Sequence, residues 1–327
     1  MNNRQRSNRK NFREGDFIET REGLIFDVKG LVHPPCKVIA FVRYIPSLDG
    51  ERERDTRRYR KVYDLAERLA FVKENYPQYL VHNPVFGEEL MEVPVEQVAR
   101  HYQPTRGLAE LRSRSDLNSL EKFVEFADFV VGAAHVPRGK VGVSGSALVG
   151  LASSSSDLDM VVYGVDNSFK INDLLRGQLE EGKRFKRYGL EALRVLHRER
   201  CRENGVSFEH YIFHEERKPF QGFFEGAEFF VRYIKDWGEG EAAYGESIYS
   251  PMGRTEIRGV VADDSDSLFT PCNYVVEDVE IVYGAWVKPI LGVTSFRGRF
   301  CQQAFAGERI AALGEAGAGS SAEPNVL

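Results

Sequence analysis

The segment from Lys140 to Gly164 constrains the chain most, because it holds a complete strand–turn–strand pattern that ends in two aspartates. Val141–Val143 is a short apolar run, and the pair Gly145-Ser146 follows it as a turn. A small-residue stretch then leads to Asp157 and Asp159, which open a second apolar run. Because side chains alternate along a strand, the pattern predicts that both carboxylates leave one face about 7 Å apart.

These residues have a shared chemistry. Two carboxylates that lie close together repel, and a hard divalent cation between them is the simplest way to stabilise both. Gly145 allows a sharp bend, and Ser146 begins a short helix whose free N–H groups suit a phosphate. Ser and Asp are also ordinary turn residues, so Asp157 and Asp159 alone would indicate only a surface turn. Together with the Gly-Ser turn, they favour phosphoryl or nucleotidyl transfer.

The same residues resemble a known signature. Gly145-Ser146, ten residues, and then Asp157-Leu158-Asp159 before an apolar residue is similar to the motif of the DNA polymerase β-like nucleotidyltransferase superfamily. More loosely, the long chain resembles archaeal stand-alone nucleotidyltransferase-domain proteins labelled as polymerase β subunit-like. The resemblance implies a metal-dependent enzyme that moves a nucleoside monophosphate from an NTP to an acceptor hydroxyl. It assigns Mg²⁺ (or Mn²⁺) to Asp157 and Asp159, and the β and γ phosphates to Gly145 and Ser146.

The superfamily also places a third carboxylate on a later strand. Glu228, in the strand expected over Phe223–Asp236, is the best-placed candidate for a catalytic and metal-binding role, and Asp236 is the alternative. Arg232 shares the face of Glu228 in such a strand. It would either bind the triphosphate or form an ion pair with Glu228.

The predicted fold class is α+β, with a nucleotidyltransferase-type mixed sheet that carries helices on one side. A β-rich N-terminal unit and a small, barrel-like C-terminal β unit flank that sheet. The predicted divisions are a flexible basic tail (1–11), a β-rich region with helices (12–110), the nucleotidyltransferase core (111–245), a small β domain (246–312) and a disordered tail (313–327).

Apolar periodicity predicts the individual elements. The predicted helices are Leu65–Asn75, Val95–His101, Leu117–Ala134 capped by Asp116, Asn167–Leu179 and Gly189–Asn204. The predicted strands are two within 16–30, one over Lys37–Ile45, one over Ser207–His214, and several short ones after Gly253. Segment 47–62 is predicted to be a charged loop leading into a strand-like stretch at Tyr59–Tyr63.

Charge and composition bear on partners and on compartment. The formal net charge of −5 does not indicate a nucleic-acid binder, but six basic residues cluster between Arg52 and Lys61. RNA or DNA is therefore a candidate partner beside the NTP, with ATP among the possible substrates. The four cysteines are widely spaced, and no apolar run is long enough for a membrane span, so we expect a cytoplasmic protein with no membrane partner.

Two functions from different classes are compatible with this sequence. One is the nucleotidyltransferase, with its acceptor and its oligomeric state open. The other is a non-catalytic nucleotide- or nucleic-acid-binding module with a nucleotidyltransferase-like fold. The two neighbouring aspartates favour the enzyme, because a retired site has no physical reason to keep them.

Overall fold

The computed structural model describes residues 12–114, 120–154, 156–201, 205–240, 243–287 and 289–319. Over these ranges the chain is a mixed α+β protein whose strands form three separate sheets. None of the helices described there combines the length and the apolar character needed to cross a bilayer.

The N-terminal unit is an eight-stranded sheet with one helix beside it. Its strands run in the order β4-β5-β3-β2-β1-β8, and β7 pairs with β3 and with β6. Helix α1 begins after Asp64, whose side chain accepts a hydrogen bond from the backbone N–H of Glu67 at 2.8 Å. The elements are β1 (Phe17–Thr20), β2 (Ile25–Val28), β3 (Lys37–Pro46), β4 (Arg52–Arg54), β5 (Arg57–Lys61), α1 (Leu65–Asn75), β6 (Leu80–Asn83), β7 (Glu88–Pro94) and β8 (Val98–Tyr102).

The predictions for β1, β2, β3 and α1 are confirmed, and two others are wrong. The charged segment 47–62 is not a loop, because 52–61 forms the β4–β5 hairpin and pairs with β3. Charge does not prevent this, since most of the hairpin's side chains reach the surface. Val95–His101 is not a helix either: a short 3₁₀ turn ends at Gln97, and β8 then pairs with β1.

The central unit is a five-stranded sheet in the order β11-β12-β13-β10-β9. Strands β10 and β13 are parallel, and the other neighbours are antiparallel. The elements are α2 (Pro104–Ser113), α3 (Glu121–Ala133), β9 (Val141–Val143), α4 (Gly145–Leu148), β10 (Leu158–Tyr163), α5 (Val165–Glu181), β11 (Phe185–Lys186), α6 (Leu190–Arg200), α7 (Phe208–Glu215), β12 (Gln221–Phe224) and β13 (Ala227–Ile234).

The two faces of the central sheet have different neighbours. Leu158 and Met160 of β10 point into the main core, where α3 and α5 contact the sheet. On the opposite face, Val161 and Tyr163 pack with Ile234 beneath the N-terminal unit. Helices α3 and α5 therefore lie on one face of the sheet, and the N-terminal unit lies against the face to which Asp159 belongs.

Several boundaries in the central unit differ from the prediction. The segment 223–236 is part of a hairpin, because Glu225 and Gly226 turn the chain between β12 and β13. Ser207–His214 is not a strand: Ser207 caps helix α7 by accepting from the N–H of His210. Helix α5 begins at Val165 rather than at Asn167. α6 ends at Arg200, and Asp116 lies outside the described residues.

The C-terminal unit is a four-stranded antiparallel sheet in the order β16-β15-β14-β17. We expected short strands in a barrel, but three of these strands are long, with 15, 13 and 11 residues, and β16 and β17 stay at the edges of the described sheet. The strands are β14 (Tyr249–Asp263), β15 (Cys272–Gly284), β16 (Gly292–Ser295) and β17 (Arg309–Gly319). Strand β17 continues across the expected boundary at residue 312, and all four cysteines are free thiols.

Candidate functional site

Gly145 and Asp159 are in direct contact at the start of α4. Gly145 has φ 59°, in the left-handed region that favours glycine. A Cβ atom at this position would lie 2.0 Å from Oδ2 of Asp159. The backbone N–H of Ser144 donates to the carbonyl of Asp159 at 2.8 Å and holds the two segments together. The Gly-Ser turn and the aspartate strand predicted from the sequence therefore form one local structure, in which a larger residue would displace the carboxylate.

The two aspartates differ in exposure. Asp157 is exposed just before β10, whereas Asp159 is partly buried within it. Burial, and then repulsion from Asp157, raise the pKa of Asp159 to about 6. Lys61, Arg232 and Arg43 attract its negative charge and act in the opposite direction. The repulsion inferred from the sequence is thus a property of the folded site.

Glu228 lies beside this pair. In the parallel register of β10 and β13, Leu158 pairs with Phe229, so Asp157 and Glu228 come just before paired residues on adjacent strands. The Tyr188 hydroxyl donates to Oε1 of Glu228 at 2.5 Å. Burial raises the pKa of Glu228, and the charge of Asp157 raises it further, while the Tyr188 hydrogen bond lowers it. The carboxylate is therefore held in place close to Asp157.

Asp236, the alternative third carboxylate, lies past the other end of β13. It lies eight positions after Glu228 along the chain, which corresponds to about 26 Å of extended backbone. It forms ion pairs with Lys140 and with Arg13, the latter at 3.3 Å. These contacts hold Asp236 at the end of β13 that is opposite to Glu228.

Arg232 also has other partners than the sequence suggested. Its Nη1 lies 2.9 Å from Oε1 of Glu14 and 3.5 Å from Oδ1 of Asp27, both in the N-terminal unit. Its expected ion pair with Glu228 is not among the ion pairs of the described residues. Arg232 therefore links the site face of the central sheet to the N-terminal unit.

The donor chemistry at the site suits a hard cation. Asp157, Asp159 and Glu228 supply carboxylate oxygens, the ligands that Mg²⁺ and Mn²⁺ prefer. Within the described ranges, however, no three His, Cys, Asp or Glu side chains are arranged so that they could already hold a metal ion. Asp157 and Asp159 fit a cation as a pair, and Glu228 would complete the set.

Four further side chains act on the site, and the sequence alone did not assign them to it. Arg52 donates from Nη1 to the Leu151 carbonyl at 2.8 Å and so holds the loop that leads to the aspartates. Arg43 and Lys61 act on Asp159 from the N-terminal unit, and Tyr188 holds Glu228. The basic run from Arg52 to Lys61 was visible in the sequence, but only the pairing of β5 with β3 shows where that run lies in the fold.

Comparisons with known proteins place the chain in a family. No family model matches it, and no solved structure matches it. The uncharacterized protein MJ1086 of Methanocaldococcus jannaschii is 30% identical over 309 residues, which cover 92% of this chain and 89% of the relative. Identity at this level over nearly the full length of both chains shows common descent. The chain belongs to the protein family of MJ1086.

Proposed function

We propose that this protein is a metal-dependent nucleotidyltransferase that moves a nucleoside monophosphate from an NTP to an acceptor hydroxyl. The observation that carries the proposal is the contact between Gly145 and Asp159. It joins a Gly-Ser turn to an aspartate pair, with Glu228 on the neighbouring parallel strand. A core of this kind, with α3 and α5 behind a mixed sheet, supports a nucleotidyltransferase-type fold.

Each residue has a defined role in the proposed reaction. Asp157, Asp159 and Glu228 would hold the cations, and Gly145 and Ser146 would donate backbone N–H groups to the β and γ phosphates. Bound Mg²⁺ (or Mn²⁺) supplies charge neutralisation at the leaving pyrophosphate and activation of the acceptor hydroxyl.

Two further features refine these roles. Glu228, with its raised pKa, is suited to accept the proton of the acceptor hydroxyl. Arg232 is not available to the triphosphate, because it is already paired with Glu14.

The direct test is transfer of label from each α-phosphate-labelled NTP in the presence of Mg²⁺ or Mn²⁺, alone and with RNA or DNA. We expect Asp157→Asn and Asp159→Asn each to lower the rate by at least about 100-fold, because each loses charge that the transition state requires. Asp173→Asn is the matched control, since Asp173 is exposed on α5, in the helical layer behind the sheet. Transfer at wild-type rate by the double variant at 157 and 159 would exclude this site.

A second candidate function is a nucleotide- or nucleic-acid-binding module without turnover. The observation that favours it is the lack, among the described side chains, of three preassembled metal ligands. The same assay separates the two functions, because a binding module would retain labelled NTP or oligonucleotide on a filter and would transfer none of the label.

A further inference from the structure

An exposed tyrosine has two cations beside its ring close to the candidate site. Tyr63 lies two residues after the end of strand β5 and is 65% exposed. Arg43 lies with its guanidinium carbon 5.0 Å from the centre of the Tyr63 ring, and the Lys61 ammonium lies 4.6 Å from it. An exposed ring with two cations beside it offers a face on which a planar group can stack and charges that attract phosphate, so this ring is a candidate binding surface.

The hairpin that carries Lys61 is bonded directly to the loop that precedes the aspartates. Arg52 of β4 donates to the Leu151 carbonyl and, at 3.3 Å, to the Ser156 hydroxyl. Arg54 donates to the Val149 carbonyl at 2.9 Å. These contacts fix the hairpin beside the loop that leads to Asp157, and the attraction of Arg43 and Lys61 to Asp159 agrees with this position.

Among the described residues, Arg43 and Lys61 attract carboxylates only from beyond ion-pairing distance. Among the described residues, no acidic side chain forms an ion pair with Arg43, Arg57 or Lys61. Arg57 is exposed, and its Nη1 donates at 3.4 Å to the Glu22 carbonyl. Arg54, by contrast, is paired with Glu19 at 2.7 Å. We call Arg43, Arg57, Lys61 and Tyr63 the Tyr63 patch.

The extent of the Tyr63 patch fits a polymer better than a single nucleotide. Arg57, Lys61 and Tyr63 are separated by even numbers of positions, so an extended chain would project their side chains to the same side. Arg57 and Lys61 lie about 13 Å apart along β5. An aromatic ring beside a track of cations is the arrangement that binds a single strand, with bases stacked and phosphates neutralised. We propose that the Tyr63 patch binds a single-stranded nucleic acid, with a base stacked on Tyr63 and its phosphates on Arg43, Arg57 and Lys61. Resting on the function proposed above, this would make the strand's terminal hydroxyl the acceptor.

The proposal is tested by fluorescence anisotropy with labelled 20-nucleotide RNA and DNA strands and a duplex, without NTP or divalent cation. We expect Tyr63→Ala to weaken single-strand binding roughly fivefold or more, and Tyr63→Phe, which keeps the ring, to stay near wild type. The matched control is Tyr283→Ala, because Tyr283 is 72% exposed on β15 of the C-terminal sheet. Lys61→Ala should lower the slope of log affinity against log salt by about 1, whereas Lys183→Ala, at an exposed position just after α5, should not.

Three outcomes would overturn the proposal. They are wild-type protein that binds neither strand, Tyr63→Ala protein that binds as wild type does, and patch variants that weaken only mononucleotide binding. Because this assay needs no turnover, strand binding without label transfer would reject the proposed enzyme and leave the Tyr63 patch in place. Transfer to a small acceptor without strand binding would support the proposed enzyme and reject the Tyr63 patch as a strand-binding surface.

Discussion

At the scale of single residues, the charge of Asp159 opposes folding. Its pKa is about 6 in the folded protein against an ordinary value of 3.8, so the folded state binds the proton more tightly than the unfolded chain does. This tighter proton binding means that the free energy of unfolding falls as the pH rises from about 4 to about 6. The repulsion that a cation would relieve is thus a cost in stability.

We therefore predict that Asp159→Asn is more stable than the wild type at pH 7.5, by up to about 3 kcal/mol, and similar to it at pH 4. Urea unfolding at both pH values measures this, with Asp173→Asn as the control. Mg²⁺ should raise the melting temperature of the wild type more than that of the variant. The same pH dependence in both proteins would show that Asp159 is not under this repulsion.

The contact between Tyr188 and Glu228 gives a second prediction at this scale. Glu228→Gln should reduce turnover strongly and leave NTP affinity nearly unchanged, because the turn and the aspartates remain. Tyr188→Phe removes a hydrogen bond that lowers the pKa of Glu228, so that pKa should rise and the acidic limb of the pH–rate profile should move to higher pH.

Single-turnover rates across pH measure both changes. A Tyr188→Phe profile that falls in rate without moving along the pH axis would mean that Tyr188 only supports the fold. An ion pair with Arg232 does not offer a different role for Glu228, since Arg232 pairs with Glu14 instead, at 2.9 Å.

At the scale of elements, the β4–β5 hairpin is attached to the site through Arg54. Arg54 donates to Glu19 at 2.7 Å, to the Tyr59 hydroxyl at 2.9 Å and to the Val149 carbonyl at 2.9 Å. The side chains of Arg54 and Glu19 are 13% and 9% exposed, so the charge of each is compensated by the opposite charge of the other. The hairpin and the loop after α4 therefore form one structural element of the site.

We predict that Arg54→Met lowers the free energy of unfolding by about 3–5 kcal/mol, because it leaves Glu19 buried without its partner. The double variant Glu19→Gln, Arg54→Met should recover part of that loss. Arg58→Met, at an exposed position of the same hairpin, should change stability by less than about 0.5 kcal/mol. Urea titration of the wild type and the three variants measures these free energies of unfolding. Equal losses of stability in the Arg54 and Arg58 variants would contradict the prediction.

At the scale of the whole molecule, the three units share one hydrophobic core. Phe17 and Tyr44 of the N-terminal unit, Val130 of α3, and Val261 and Phe269 of the C-terminal unit belong to the same buried cluster. A shared core couples the unfolding of the units, so we expect a single cooperative thermal transition.

The buried charges between the units should set the acid limit of that stability. Burial alone would raise the pKa of Asp27, but attraction to Lys29 and Arg232 outweighs burial and lowers it to about 2. A lowered pKa stabilises the folded state above the ordinary value, so this contribution should be lost as the pH falls from about 4 towards 2. Calorimetry over that range should show a steeper loss of stability in the wild type than in Asp27→Asn.

For the prediction of a single thermal transition, two separate transitions at neutral pH would contradict the shared core.

The sequence by itself determined the features that depend on neighbouring residues. Alternation and a glycine turn are local, so Val141–Val143, the Gly145 turn and the strand after Asp157 could be predicted. Helix α1 could be predicted for the same reason, since Asp64 caps it three residues from its bonding partner. The chemistry of the aspartate pair was also readable, because it needs only two carboxylates on one short strand.

Only the tertiary structure decided the features that depend on distant partners. Segment 52–61 and Val98–Tyr102 are strands because β3 and β1 pair with them, and no local pattern encodes that pairing. The register of β10 against β13 places Glu228 beside Asp157, and the distance along β13 sets Asp236 apart. Arg232 binds Glu14 across 218 positions of sequence, a contact that buried opposite charges make once the fold has brought them together.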